Sequence, residues 1–471
     1  MAEHKVELAV VGAGPGGYAA AFLAADLGMK VVLIDKEPNP GGVCLYRGCI
    51  PSKALLHVAK LMAEVDDAKQ MGVEYPEPQV DLDKLHGWKN SVVERLTGGL
   101  GQLSKRRKIH YLQGTASFRD AHTLDVDPAE GGGDTVRFAH AIVATGSRPA
   151  AIPALALESP RVLDSTSALD IDSVPGSLLV VGAGYIGLEL GTVYAALGSK
   201  VSVVEMLPGI LPGADRDLVN VLKKRLDGKF ESIMVNTTVA SMTERESGIA
   251  VTFEGDGAGD ETFDRVLVSV GRKPNSEGFG LENTGVVIDE KGFVEVDARR
   301  RTAEPSIYAI GDVVGEPMLA HKASHEGRAA VETIAGHKVA FEPQAIPAVI
   351  FTDPEIAWAG LTDTEAKENG IDVVVAKFPW AASGRALTLE RTDGMTKLII
   401  EPKTNRILGV GIVGTGAGEL IAEGVLAIEM GANATDLKLT VHPHPTLSET
   451  IMEAAEVFFG QSTHVYRPRR K

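Results

Sequence analysis

Apolar and polar positions along this chain fall into a pattern that occurs twice. Residues 8–35 and 178–205 align without a gap at a constant offset of 170, with 12 identities in 28 positions. Each copy reads as a buried strand, a glycine turn, a helix and a second buried strand, the unit of a doubly wound α/β sheet. Two copies so far apart predict two similar nucleotide domains rather than a solenoid. Beyond them, residues 54–64 have helical periodicity, and 307–312 reads as a buried strand ending in Gly-Asp. From about residue 349, strand-like runs (395–400, 407–413) alternate with helix-like ones (416–430, 447–458). Turn clusters at 149–153 and 271–275 mark boundaries. The expected divisions are 1–150, 151–275, 276–348 and 349–471.

The glycines make the duplication chemical. The first copy carries Gly12-Ala13-Gly14-Pro15-Gly16-Gly17 and the second Gly182-Ala183-Gly184-Tyr185-Ile186-Gly187. In such a G-x-G-x-x-G turn the first glycine makes the tight bend. The second lets backbone approach a pyrophosphate, and the third packs helix on strand. The phosphate then lies in the positive field of the helix N-terminus. Eighteen residues after the third glycine come Asp35 and Glu205, each ending a strand and suited to a ribose diol. Glu205 is followed by Met206, Leu207 and Pro208, with no arginine for a 2′-phosphate, so the second site is expected to prefer NAD to NADP.

Composition narrows the class further. The chain has 471 residues, 44 % apolar and 23 % charged, as expected of a soluble globular protein of roughly three domains. Its formal charge, 47 − 63 = −16, argues against nucleic acid or anionic membrane as a partner. The basic end Arg467–Lys471 reads as a solvated tail. Residues 178–198 have one charge, Glu189, but their glycine turn argues against a membrane span. The start leads straight into a strand pattern, and the expectation is a soluble cytoplasmic protein.

There are two cysteines, Cys44 and Cys49: unrelated structural thiols or one reactive pair, and alone no basis for a metal site. They follow Gly41-Gly42 and precede Ile50-Pro51-Ser52-Lys53, at a helix start where the field favours thiolate. On a regular helix residues five apart lie on different faces, so the pair can meet only if the helix is distorted. A dithiol beside a dinucleotide motif suggests electron traffic between thiols and cofactor. Two dinucleotide sites then suggest FAD in one, NAD in the other and a disulfide between. Near the C-terminus the chain reads His442-Pro443-His444-Pro445-Thr446-Leu447-Ser448-Glu449. Thr446 and Glu449 match a capping box, T-x-x-E. Alternatively Glu449 orients an imidazole as the general base that thiol chemistry needs. Spacing does not separate His442 from His444.

These residues together resemble the pyridine nucleotide–disulfide oxidoreductases. The resemblance covers essentially the whole chain and is strongest at 41–44, 48–53, 144–149, 307–312, 318–322, 378–380 and 442–446. It implies a fold of two Rossmann-like domains, for FAD and NAD, a central segment completing the FAD site, and a C-terminal α+β dimerisation domain. Carried over, Gly12, Gly14, Gly17, Asp35, Lys53, Ala116, Gly146, Asp312 and Ala320 should contact FAD. Gly182, Gly184, Ile186, Gly187, Glu205, Val239 and Gly271 should hold NAD, with Glu189 paired to Lys53. Cys44 and Cys49 would be the redox pair, and His444 with Glu449 the base supplied across a homodimer interface. Within the family the implied activity is reoxidation of dihydrolipoamide on the lipoyl domain of a bacterial 2-oxo acid dehydrogenase complex or of a glycine cleavage H protein. Tyr46-Arg47 departs from the common Asn-Val, and Tyr185 from a frequent isoleucine. A glutathione reductase would need basic residues after Glu205, and a mercuric reductase a second cysteine pair; neither is present.

Overall fold

The computed structural model describes residues 2–128 and 132–466; the basic end Arg467–Lys471 lies outside them. The chain forms two compact units. The first is built from Met1–Ala54, Asp81–Ala150 and Gly271–Glu342, the second from Leu55–Val80, Ala151–Val270 and Pro343–Lys471. The break lies before Gly271 because Arg272–Pro274 pairs antiparallel with Ser147–Pro149 inside the first unit.

In the first unit, strand Glu3–Val11 lies parallel to both Val31–Asp35 and Asp134–Val143. Val31–Asp35 continues the parallel pairing to His110–Asp120, and Ile307–Ala309 lies beside residues 141–143. Strand Thr123–Pro128 links His110–Asp120 and Asp134–Val143 by antiparallel pairing. Successive side chains of a strand point to opposite faces. Here Ala9, Val11, Val32 and Ile34 enter one core and Leu8, Val10, Val31 and Leu33 another. Burial on both faces is why these strands read as unbroken apolar runs.

The second unit repeats the plan. A five-stranded parallel sheet runs in the order 232–234, 200–204, 177–181, 265–268, 162–163. A separate five-stranded antiparallel sheet runs 348–350, 355–360, 407–414, 395–400, 374–379. Helices Ala417–Glu429 and Glu449–Phe459 cover that sheet. Trp380 is fully buried in its core: a Cβ at Gly394 or Gly414 would lie 2.3 or 2.2 Å from the indole. The indole N–H donates to Thr396 Oγ1 (3.0 Å), which bonds Thr450 Oγ1 (2.8 Å) and so fixes the first turn of helix Glu449–Phe459. Lys397, also fully buried, puts its ammonium 2.5 Å from Asp215, 2.7 Å from Asp217 and 3.5 Å from Asp363. Three carboxylates thus converge on Lys397, and Lys377 also pairs with Asp217 (2.6 Å). Burial opposes ionisation of Asp215, but the Lys397 ammonium overrides it and holds the carboxyl well below the usual carboxylate range.

Most patterned segments have their expected form: strands Met395–Ile400 and Ile407–Gly414, and helices Cys49–Ala68, Ala417–Glu429 and Glu449–Phe459. Residues 178–198 are strand, turn and helix, and no helix among the described residues is long and apolar enough to cross a membrane.

Candidate active site and dinucleotide cradles

The two glycine turns have the same geometry. Gly12 and Gly182 sit at φ +98° and +99°, where L side chains are strained. A Cβ on them would also meet carbonyl oxygens of Ala144 (2.3 Å) and Ser269 (2.7 Å). A Cβ on Gly17 or Gly187 would lie 1.9 or 2.3 Å from the carbonyl of the first glycine, so helix and strand could not pack. The middle glycines differ. A Cβ on Gly184 would meet nothing within 4 Å, and one on Gly14 only Gly42 Cα at 4.0 Å. These positions are glycine for an approaching group, not for internal packing. Gly14 and Gly184 cap helices Pro15–Asp26 and Tyr185–Ala196 with no side-chain bond. Their first N–H groups therefore keep the positive field an anion needs.

The acids repeat as closely. Asp35 accepts the Ala13 N–H (2.6 Å) and the Glu37 N–H (3.0 Å); Glu205 accepts those of Ala183 (2.8 Å) and Leu207 (2.9 Å). An ionised carboxylate has about four acceptor sites. Each acid, fixed by two bonds, keeps the others for a ribose diol. Residues, backbone and charge fit an adenine dinucleotide in both turns.

In the first unit Asp312 accepts the Ser147 hydroxyl (2.5 Å), and Arg272 holds Ser147 through its side chain (2.7 Å) and carbonyl (2.8 Å). The preceding Gly311 has φ +80° and donates its N–H to the fully buried Glu326 (2.7 Å). Arg300 (2.9 Å) and Lys322 (3.1 Å) neutralise Glu326. Sequence reasoning missed Arg300 and Glu326, which no local motif marks.

Cys44 lies in a short helix, Gly42–Arg47, and Cys49 opens the helix Cys49–Ala68. The helices break at Gly48 (φ −147°, ψ −118°), the distortion the spacing requires. A Cβ there would sit 2.9 Å from the Val43 oxygen and 3.3 Å from Cys44 Cα. Gly42, at φ +58°, packs on the first turn: its Cβ would be 2.5 Å from Gly14 Cα. Cys44 is half-buried and Cys49 exposed. The helix field alone favours thiolate, yet the Cys44 thiol is pushed up. Its hydrogen bond with Cys49 and its burial do this, against the Lys53 charge. Tyr18, which the sequence reading passed over, is near enough that burial and then both cysteines raise its phenol.

The histidines separate by their partners. His442 Nδ1 lies 2.9 Å from the Thr440 carbonyl and Nε2 2.8 Å from Glu423. Both nitrogens are engaged by protein oxygens, so neither is open to a substrate thiol. His444 Nδ1 donates to Glu449 (2.9 Å), which leaves the Nε2 lone pair on a ring three-quarters exposed. Glu449 opens its helix and its other oxygen accepts the Thr446 N–H (2.8 Å). Of the expected capping box only this backward reach is formed: Ser448, with no side-chain cap bond, precedes the helix, and the Thr446 hydroxyl donates to the Pro443 carbonyl (2.8 Å). Burial works against the Glu449 anion, but the Thr446 N–H and His444 hold its carboxyl below the usual range.

Comparison with known proteins decides the family. A model of the pyridine nucleotide-disulphide oxidoreductases matches residues 6–327, and one of that family's dimerisation domain matches 346–455. The chain belongs to this family. Family members named dihydrolipoyl dehydrogenase include that of Haemophilus influenzae, 49 % identical over 100 % of this chain and 98 % of its own. That of Geobacillus stearothermophilus is 47 % identical, over 98 % of each chain. Among solved structures, LpdA of Mycobacterium tuberculosis matches with TM-score 0.90 and 27 % identity, over 96 % of this chain and 100 % of that one. The flavoprotein disulfide reductase RclA of Escherichia coli matches with TM-score 0.87 and 28 % identity, over 96 % and 99 %.

As a family member the chain uses FAD and NAD, and the remaining residues can be placed against that. Ala320 begins helix Ala320–Ile334, whose N-terminus has no side-chain cap. Gly146 has φ +71°, and Gly271, at φ +121°, accepts the Ala150 N–H (2.9 Å). Glu189 is buried and accepts the Phe351 N–H (2.9 Å), while Lys53 is half-buried in the first turn of its helix. Ala116 is buried in a strand of the first core, so its side chain packs inward; Val239 is half-buried beside a β-bulge. Ile186 is half-buried and Tyr185 exposed at the start of their helix. The Tyr46 hydroxyl donates to the Asn39 carbonyl (3.1 Å) and Arg47 pairs with Glu37. Both unusual residues thus tie the cysteine segment to the loop after Asp35.

Proposed function

We propose that this chain is a dihydrolipoyl dehydrogenase, a flavoprotein that passes electrons from dihydrolipoamide through Cys44 and Cys49 to FAD and then NAD⁺. The observation that carries the reading is the pair of unlike elements a dithiol oxidant needs: adjacent cysteines in hydrogen-bond contact across the Gly48 break, and a histidine whose carboxylate partner engages Nδ1 and leaves Nε2 open. Full-length relatives bearing that name support it.

The chemistry follows from the residues. His444 Nε2 takes the proton of one substrate thiol, and Glu449 stabilises the imidazolium. The substrate thiolate attacks the Cys44 sulfur of the Cys44–Cys49 disulfide, and Cys49 leaves as thiolate. The second substrate thiol then attacks the mixed disulfide, releasing lipoamide and reduced Cys44. Bound FAD and NAD⁺ supply the two-electron path that restores the disulfide. Gly12, Gly14, Gly17, Asp35, Lys53, Gly146, Asp312, Ala320 and backbone at Ala116 hold the flavin. Gly182, Gly184, Ile186, Gly187, Glu189, Glu205, Val239 and Gly271 hold the nicotinamide dinucleotide. His444 serves the cysteines of the second copy in a homodimer. The substrate arm comes from the lipoyl-bearing acyltransferase of a 2-oxo acid dehydrogenase complex or from a glycine cleavage H protein, in the cytoplasm. Anaerobic treatment with dihydrolipoamide, followed by thiol alkylation and mass spectrometry, should label Cys44 and Cys49 together. Labelling at neither would overturn the reading.

A further inference from the structure

The two nucleotide turns share a backbone plan but differ in what secures it. Two residues beyond each acid, a backbone N–H fixes the carboxylate: that of Glu37 for Asp35 (3.0 Å) and that of Leu207 for Glu205 (2.9 Å). The carbonyls of these two residues are also held, that of Glu37 by the Tyr111 hydroxyl (2.8 Å) and that of Leu207 by the Asn236 N–H (3.1 Å). The likeness ends at the side chains. Leu207 is apolar and exposed. Glu37 forms an ion pair with Arg47, which stands between the two cysteines.

Further bonds tie down the segment 36–40 after Asp35. Tyr46 donates to the Asn39 carbonyl (3.1 Å), and Gln113 to the Lys36 carbonyl (3.1 Å). The Tyr46 ring also packs on Gly41, where a Cβ would lie 3.2 Å from Cε2. Burial raises the Tyr111 phenol, and Asp35, Tyr46 and Glu37 raise it further, as a tight cluster requires. Asp35 thus sits at the end of a chain of contacts that starts on the cysteine helix and runs through Arg47, the Glu37 side chain and the Glu37 N–H.

We propose that Tyr46 and Arg47 are positioning residues that make the first turn a retaining site: by fixing the segment around Glu37 they hold Asp35 ready for the adenosine ribose of FAD. The proposal rests on Asp35 being the FAD ribose acid. A carboxylate oriented before its ligand arrives loses less entropy on binding, and the ligand leaves more slowly. Arginine suits the task, because its planar head is always charged and loses little freedom per bond formed. The asymmetry between the turns matches the two cofactors. FAD is reoxidised in place and has to stay, whereas NAD⁺ is a substrate that leaves as NADH after each turnover. The second turn, with Leu207 in the place of Glu37, has no ion pair to restrain it at this position.

The test follows FAD release from diluted holoenzyme by the fluorescence of the freed flavin, in wild type, Arg47→Gln, Arg47→Lys, Asp35→Asn and Asp35→Asn/Arg47→Gln. Arg47→Gln should release FAD about tenfold faster, and Arg47→Lys, which keeps the cation, more slowly than Arg47→Gln. NADH affinity should not change. Because Arg47 acts through Asp35, adding Arg47→Gln to Asp35→Asn should alter release by less than about twofold. A general loosening of the fold, or repulsion of the flavin by an unpaired Glu37, would instead give the same factor in both backgrounds and overturn the proposal, as would unchanged release from Arg47→Gln. Release unchanged by Asp35→Asn would show that the ribose assignment itself had failed. Should Asp35→Asn purify without flavin, wild-type and Arg47→Gln apoproteins are titrated with FAD and with FMN, which has no adenosine. Weakening confined to FAD is the expected result, and equal weakening of both would overturn the proposal.

Discussion

Replacing Gly184 by alanine separates what the protein needs for its own packing from what its ligand needs. The backbone there, φ −73° and ψ 175°, is open to any residue, and the new methyl would meet nothing within 4 Å. Folding should therefore tolerate it, the gain of about 0.4–1 kcal/mol from a stiffer unfolded chain being offset by alanine's poorer fit as the helix N-cap. The same methyl stands where a pyrophosphate must touch backbone. The expected loss is about 10- to 100-fold in NADH affinity, at about 1.4 kcal/mol per tenfold. Gly187→Ala should behave oppositely. Its Cβ would lie 2.3 Å from the Gly182 oxygen, 2.6 Å from Ser269 Oγ and 2.9 Å from Val180 Cγ1. Overpacking of this kind costs about 1–3 kcal/mol, and a backbone oxygen cannot swing aside as a side chain can. At about 2–4 °C per kcal/mol for a domain of this size, Tm should fall by several degrees. The assay is thermal unfolding without nucleotide, paired with NADH titration by fluorescence. A Gly184→Ala protein that melts as low as Gly187→Ala, or that binds NADH unchanged, would refute this account of the turn.

Three further outcomes are expected. Cys44→Ser and Cys49→Ser should each abolish turnover of the dithiol while the purified protein keeps its yellow flavin; turnover by either would remove the pair from the mechanism. His444→Gln should lower kcat by about 10²–10⁴, whereas His442→Gln, lacking a free nitrogen to lose, should act mainly on stability; equal kcat losses would contradict the separation drawn from their partners. Lys397→Met should cost about 3–5 kcal/mol, because it strips the cation from buried carboxylates, and it should invert the acid dependence. In the wild type the Asp215 pKa is depressed, so its contribution is present above the unfolded value and is lost as pH falls through the folded one. Without the lysine the clustered carboxylates resist ionisation, and stability should instead fall as pH rises from about 4 to 7. Denaturant unfolding across that range reads the slope, and an unchanged slope would contradict the role given to Lys397.

The parts of the site legible in the sequence were those written locally. A glycine's role is set by atoms a few residues away and by one partner strand, so the two turns and their acids stand out at a fixed spacing. The Cys-x₄-Cys interval dictated a broken helix, and Gly48 supplies it. Pairs between distant positions were not legible. Lys397 with Asp215, and Arg300 with Glu326, are joined only by the packing of elements that meet late in the chain. The choice between His442 and His444 also needed coordinates, because it turns on what each second ring nitrogen faces. Thiol ionisation was read from the helix field alone, and the neighbouring sulfur outweighs it at Cys44.

The most direct test of the central claim is a matched pair of assays on the purified yellow protein: NADH formation from NAD⁺ and dihydrolipoamide, and NADPH oxidation by glutathione disulfide. The account predicts turnover in the first and none in the second, because Glu205 favours a free ribose diol and the dithiol is the substrate. Turnover only in the second would contradict both the nucleotide assignment and the substrate.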